Sequence, residues 1–200
     1  MEITVLGKSP AVPDADGACS GYLVSEGDFR LVIDCGTGVV GRLRAFCELT
    51  EVDAVVITHV HADHIADLLP YSHALTYRSD GGERPRLLAP PGGDAVFAAV
   101  GEAYGVGRQI HEGFAVEEYD PSATVPIGPL QARFCEVPHF IRAWACELAG
   151  PDGRRFSFGA DCAPNPALAV FAQEADLLLL EATEGPIVHV PDGHLRGHMS

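Results

Sequence analysis

Four side chains able to bind a metal ion fall within six positions, in the run His59-Val60-His61-Ala62-Asp63-His64. Imidazole and carboxylate suit zinc, and also iron or manganese. In extended backbone, residues two apart point the same way. His59 and His61 are therefore expected to reach one ion together, with Asp63 and His64 offset toward a second. The run DAVVIT at 53–58 comes immediately before. It is compact and apolar, and reads as a strand buried on both faces. A loop leaving such a strand is held rigidly at one end, the context that a metal motif of this kind requires.

The rest of the chain must supply the frame. Strands are expected at 3–7, 21–25 and 29–34, with Gly27-Asp28 as the hairpin turn between the second and third. A helix is expected at 39–47. From His64, the residues Ile65, Leu68, Leu69 and His73 recur at helical spacing, so one helix should begin inside the metal motif. Further strands are expected at 86–89, 114–119, 130–137, 143–148 and 156–159. Helices are expected at 95–104 and 167–174, and a last buried strand at 177–181. Strands separated by helices, with no repeat or linker, fit one α/β domain over residues 1–200.

Composition narrows the partners. Thirteen basic residues against 28 acidic ones leave a formal charge of −15. That opposes unassisted binding to a nucleic-acid backbone. It does not oppose a nucleotide held through divalent cations, which reverse the local field. The N-terminus alternates like a strand and carries no signal-peptide pattern. No apolar run approaches the roughly 20 residues of a membrane span. Six scattered cysteines (19, 35, 47, 135, 146 and 162) lack any CxxC pair. They read as reduced, mostly buried thiols of a cytoplasmic protein, with Cys35 and Cys162 packing beside metal-site segments. His73 and His111 are expected on the surface and Trp144 in the core. Tyr71, Tyr77 and Arg78 read as packing and a solvated charge.

The hexapeptide also resembles the first metal motif of the metallo-β-lactamase superfamily. Other segments fall in that family's order. Asp34-Cys35-Gly36-Thr37-Gly38 resembles the segment before the metal loop. Val137-Pro138-His139 resembles the strand end bearing a third histidine, and Gly159-Ala160-Asp161-Cys162 the segment with a bridging aspartate. The resemblance covers the whole chain. It implies a four-layer αβ/βα sandwich with two divalent metal ions, zinc first and manganese or iron as alternatives. By the same resemblance, His59, His61 and His139 hold one ion, Asp63 and His64 the other, and Asp161 bridges both. Asp63 would also orient a metal-bridged hydroxide.

Leu180-Glu181-Ala182-Thr183 and Gly197-His198-Met199-Ser200 resemble paired elements of the ribonuclease Z-like and small-phosphodiesterase branch. That implies that Glu181 orients His198 and that His198 protonates the leaving oxygen. His194 competes for this role, and His189 more weakly. Two features depart from the branch. His139 and Asp161 are only 22 residues apart, which leaves no room for the nucleases' transfer-RNA-gripping arm and argues against a dedicated transfer-RNA nuclease. No residue matches the family's last metal histidine. Truncation at the C-terminus is the favoured explanation; a weak second site, or direct ligation by His194 or His198, are the others.

The sequence therefore points to a metallo-hydrolase acting on a small phosphodiester such as a cyclic nucleotide. Thioester, lactone or β-lactam hydrolysis on the same fold is one alternative. A non-catalytic metal- or ligand-binding module is another. A homo-oligomer covering the C-terminal edge is compatible with this reading.

Overall fold

A computed structural model describes residues 1–78, 81–183 and 196–199. The chain divides into two compact units, Met1–Tyr119 and Asp120–Ser200. His189, His194 and Ser200 lie outside the described residues.

The first unit opens with β1 (Glu2–Gly7), β2 (Gly21–Glu26) and β3 (Phe29–Ile33). Gly27 and Asp28 join β2 to β3, and Gly27 takes φ 60°, a value glycine adopts without steric penalty. Helix α1 (Val39–Leu43), a 3₁₀ turn (Leu49–Glu51), β4 (Ala54–Val56), α2 (Ala62–Ile65) and α3 (Leu68–Thr76) follow. The unit closes with β5 (Arg86–Ala89), α4 (Gly93–Ala103), α5 (Gln109–Gly113) and β6 (Ala115–Glu118). Its six-stranded sheet runs β1-β2-β3-β4-β5-β6. Pairing is antiparallel from β1 to β3 and parallel from β3 to β6.

Strand β4 is central and fully buried. Its apolar run needs no alternation because parallel strands of this kind are covered on both faces. Leu23, Val32, Val55, Leu68, Tyr71, Leu87 and Phe114 belong to one buried cluster. Each fully buried side chain of this size contributes about 1.5–3 kcal/mol relative to exposure.

The single helix expected from His64 is two helices. Cys35 N–H donates to the His64 carbonyl at 2.7 Å, and Asp67 N–H donates to the Cys35 carbonyl at 3.0 Å. The segment before the metal loop thus takes a carbonyl that a continuous helix would use. Pro70 lacks an N–H and could not bond residue 66 in any case, so it is tolerated only within the first turn of a restarted helix. The expected 39–47 helix is likewise short, ending at Leu43.

The second unit contains β7 (Val125–Ile127), β8 (Leu130–Val137), β9 (Ala143–Ala149), β10 (Arg155–Phe158), α6 (Pro166–Phe171) and β11 (Leu177–Leu179). Its five strands are ordered β11-β10-β9-β8-β7. Strand β8 largely alternates buried and exposed residues, whereas β9 is buried from Ala143 to Leu148. Strand β11 corrects an expectation. Its leucine run reads as buried in the sequence, yet Leu177 is 50% and Leu178 41% exposed. It is an edge strand that pairs only with β10 among the described residues.

Strand β7, helix α5 and the 3₁₀ turn were not anticipated. Val125-Pro126-Ile127 is short and carries a proline, which suits its edge position. Trp144 and Tyr71 are core residues as expected. Five of the six cysteines are buried, and Cys135 is half-buried. His73 is exposed; His111 is instead half-buried and pairs with Asp94 at 2.6 Å.

Candidate metal centre

In the first unit the site is organised by Asp34, at the end of β3. This residue is buried and has φ 58°, in a region where aspartate and asparagine are the commonest non-glycine residues. Its carboxylate accepts from Thr58 N–H at 2.9 Å and from Ser20 Oγ at 3.1 Å. Thr58 Oγ1 donates to the same group, 3.0 Å from each oxygen. A hydroxyl has one proton to give. Thr58 Oγ1 must therefore accept from His59 Nδ1–H, 3.1 Å away. His64 Nδ1–H donates directly to Asp34 Oδ2 at 2.7 Å.

One carboxylate thus fixes the tautomers of two histidines. Both carry the lone pair on Nε2, the form a metal ion needs. His59 Nε2 lies 3.2 Å from His61 Nδ1. Two imidazole nitrogens on one tetrahedral zinc ion, each at roughly 2.0–2.1 Å, stand about 3.3 Å apart. The donors present fit a divalent ion at this position. His64 Nε2 lies 3.7 Å from Asp63 Oδ2, and the His64 ring centroid lies 3.9 Å from that of His59.

Position 36 holds the loop down. A Cβ on Gly36 would fall 1.8 Å from the Asp63 carbonyl oxygen, so only glycine lets the two backbones approach. Asp67, beyond the loop, accepts from Val40 N–H in α1 at 2.9 Å. The metal motif is fixed at both ends.

In the second unit, His139 follows β8 and donates Nδ1–H to the Gly197 carbonyl at 2.8 Å, again placing the lone pair on Nε2. Glu181 lies just beyond β11. It accepts from Cys162 N–H at 2.8 Å and Thr183 N–H at 3.2 Å, and its oxygens lie 2.9 and 3.1 Å from His198 Nδ1. The carboxylate aligns the imidazole through Nδ1. Donor atoms of His139, Asp161 and His198 all fall within 4.8 Å of one another. Ala160, immediately before Asp161, has φ 54°. Such backbone costs an alanine roughly 1–2 kcal/mol and commonly marks a functional segment.

Burial holds the neighbouring thiols neutral. Cys35 is pushed well above the usual thiol range by desolvation, with Asp67 and Asp34 adding to it. Cys162 is pushed up to about 12 by desolvation, with Glu181 and Asp161 adding to it. Neither has the thiolate character of a nucleophile at neutral pH.

Residues 29–199 match the family described as "Beta-lactamase superfamily domain". The chain belongs to the β-lactamase superfamily. It is 31% identical to the "Probable metallo-hydrolase YhfI" of Bacillus subtilis (strain 168) over 202 residues, covering 100% of this chain and 78% of YhfI. The crystal structure of that metallo-β-lactamase fold protein superposes with a TM-score of 0.80 at 26% identity, covering 98% of this chain and 76% of that one. Ribonuclease Z of Mycobacterium bovis (strain BCG / Pasteur 1173P2) is 37% identical over 109 residues, 52% of this chain and 39% of the enzyme. A diphosphatase from the PhnP family shares the fold, with a TM-score of 0.69 at 19% identity, covering 98% of this chain and 78% of that one. The chain is thus a superfamily member of metallo-hydrolase type, with ribonuclease Z-like relatives and His/Asp clusters suited to metal binding. Among the described residues, no helix is long and apolar enough to cross a membrane.

Sequence reasoning missed the role of Asp34. The signal was present in Asp34-Cys35-Gly36, but Asp34 lies 30 residues before His64. It also missed Gly197, which supplies the carbonyl that orients His139.

Proposed function

We propose that this protein hydrolyses a small phosphodiester, such as a cyclic nucleotide, with two divalent ions, zinc first. The continuous family match over residues 29–199 supports treating both units as one metallo-β-lactamase-like domain. In this reading His59, His61 and His139 hold one ion, Asp63 and His64 the other, and Asp161 bridges them. Divalent ions bound there supply Lewis acidity toward phosphoryl oxygens and activate water at neutral pH. Asp63 accepts a hydrogen bond from the attacking water and aims it at phosphorus.

The observation that carries the reading is the Glu181–His198 pair. Glu181 is anchored by two backbone N–H groups and has His198 Nδ1 within 3.1 Å of both oxygens. An imidazole aligned in this way holds a proton on Nε2 in its charged form and gives it to the departing oxygen as the P–O bond breaks. Lactone and thioester hydrolysis have less need for such an acid. Relatives named ribonuclease Z and diphosphatase also favour phosphorus as the reacting centre. The acidic charge of the chain favours a small substrate over transfer RNA.

The test is cleavage of bis(p-nitrophenyl) phosphate after loading with zinc or manganese, beside a lactone and a thioester under the same conditions. Phosphodiester turnover that disappears in Asp63→Ala is the expected result. Turnover of the lactone or thioester alone, or of nothing with either metal, refutes the proposal.

A further inference from the structure

We infer that Phe140 is a stacking platform for a planar base on the leaving-group side of the substrate, so that the favoured phosphodiesters are nucleotides. The inference rests on the phosphodiesterase reading above. Phe140 is 56% exposed. A single exposed apolar residue is ordinary, so exposure alone says little. Its position says more. The ring centroid stands 5.6 Å from that of His198 and 5.2 Å from that of His139. Those two imidazoles are themselves edge-on at 4.9 Å. The aromatic ring therefore adjoins the proposed proton donor.

The ring also lies close against Gly197. A Cβ on Gly197 would lie 2.4 Å from the Phe140 ring, so the residue before His198 has to be small for the phenyl group to occupy this position. The Gly197 carbonyl at the same time orients His139. One glycine thus makes room for the platform and aligns a proposed metal ligand. Residues 136–142 line an open depression of about 530 Å³, within the roughly 300–1,000 Å³ of small-molecule sites.

Arg142 is engaged by Glu136 at 2.8 Å and sits over Trp144 at 4.8 Å. Among the described residues that line the depression, the feature next to His198 is the aromatic ring of Phe140. That favours any planar heterocycle over a sugar or alkyl group, because stacking tolerates every base. In a cyclic nucleotide the leaving oxygen and the base belong to one nucleoside, which brings the base to the side where His198 acts.

The test is calorimetric binding of adenosine 5′-monophosphate and ribose 5-phosphate to the zinc-loaded full chain. The wild type is expected to bind the nucleotide at least about tenfold more tightly, a modest stacking contribution. Phe140→Ala and Phe140→Leu bring that ratio close to one, and Phe140→Trp keeps it. If the alanine variant fails to fold, the leucine variant carries the comparison. Equal affinities in the wild type, no measurable nucleotide binding, or a preference that survives both truncations overturns the inference. A Phe140-dependent preference without phosphodiester turnover would sink the proposed function and leave the platform standing. Turnover without base preference would do the reverse.

Discussion

Asp34→Asn probes the organisation of the metal centre most directly. Asparagine keeps the volume and accepts the φ of 58° found at this position, so the backbone has no new reason to move. The amide oxygen can still accept from Thr58 N–H. The amide nitrogen then replaces the oxygen that takes the His64 Nδ1 proton at 2.7 Å. Two donors would face each other, so His64 must move its proton to Nε2 and lose the lone pair meant for the metal. The Thr58 hydroxyl is also freed to reorient, which releases the His59 tautomer. Losing the outer partner of a metal-bound histidine typically weakens affinity 10- to 100-fold, or about 1.4–2.7 kcal/mol. Competition with a chromophoric chelator measures this, with metal per chain by mass spectrometry. The fold should soften by about 1.5–3 kcal/mol, the scale of one hydrogen bond to a charged group. Wild-type affinity and stoichiometry in a cooperatively melting Asp34→Asn protein would refute the reasoning.

Three further outcomes are expected. His198→Ala should slow phosphodiesters with alkoxide leaving groups about 10²- to 10⁴-fold, while bis(p-nitrophenyl) phosphate, whose leaving group needs little protonation, is affected far less; steady-state kinetics on both substrates checks this. Ala160→Gly should raise stability by about 0.5–1 kcal/mol, the left-handed penalty relieved less the added chain entropy, and yet lower turnover as the Asp161 segment loosens, read by urea unfolding beside an activity assay. Cys162 has its thiol raised by burial to about 12 from 9.0. Its contribution to stability is complete below pH 9 and is lost as the pH climbs toward 12, by at most about 1.4 kcal/mol per pH unit; unfolding curves between pH 8 and 11 should be flatter in Cys162→Ala.

The metal motif was legible because its ligands are neighbours in sequence and leave a buried strand. The strands were legible for a related reason: β4 and β9 bury nearly every side chain, and β8 largely alternates. What could not be read depended on distant partners. The break between α2 and α3 is made by Cys35, which competes for the His64 carbonyl, and periodicity carries no trace of it beyond Pro70. The exposure of Leu177 and Leu178 depends on β11 lying at an edge, whereas four consecutive leucines look alike in an edge and a centre. Asp34 and Gly197 act through a carboxylate and a carbonyl on residues remote in sequence, which spacing arguments do not reach.

The tie between Gly36 and the Asp63 carbonyl also bears on the order of assembly. The contact joins segments 27 residues apart, across the parallel β3–β4 pair, and such closures come at an entropic cost before they are rewarded. Until it forms, Asp34 cannot dictate the histidine tautomers, and the ligands sample every protonation pattern open to a flexible chain. An ion meeting the nascent protein finds imidazoles but no prepared geometry. Metal should then arrive after the first sheet has closed, stabilising a finished fold by mass action rather than templating it. Refolding rates should accordingly be indifferent to zinc, while unfolding rates should fall with it.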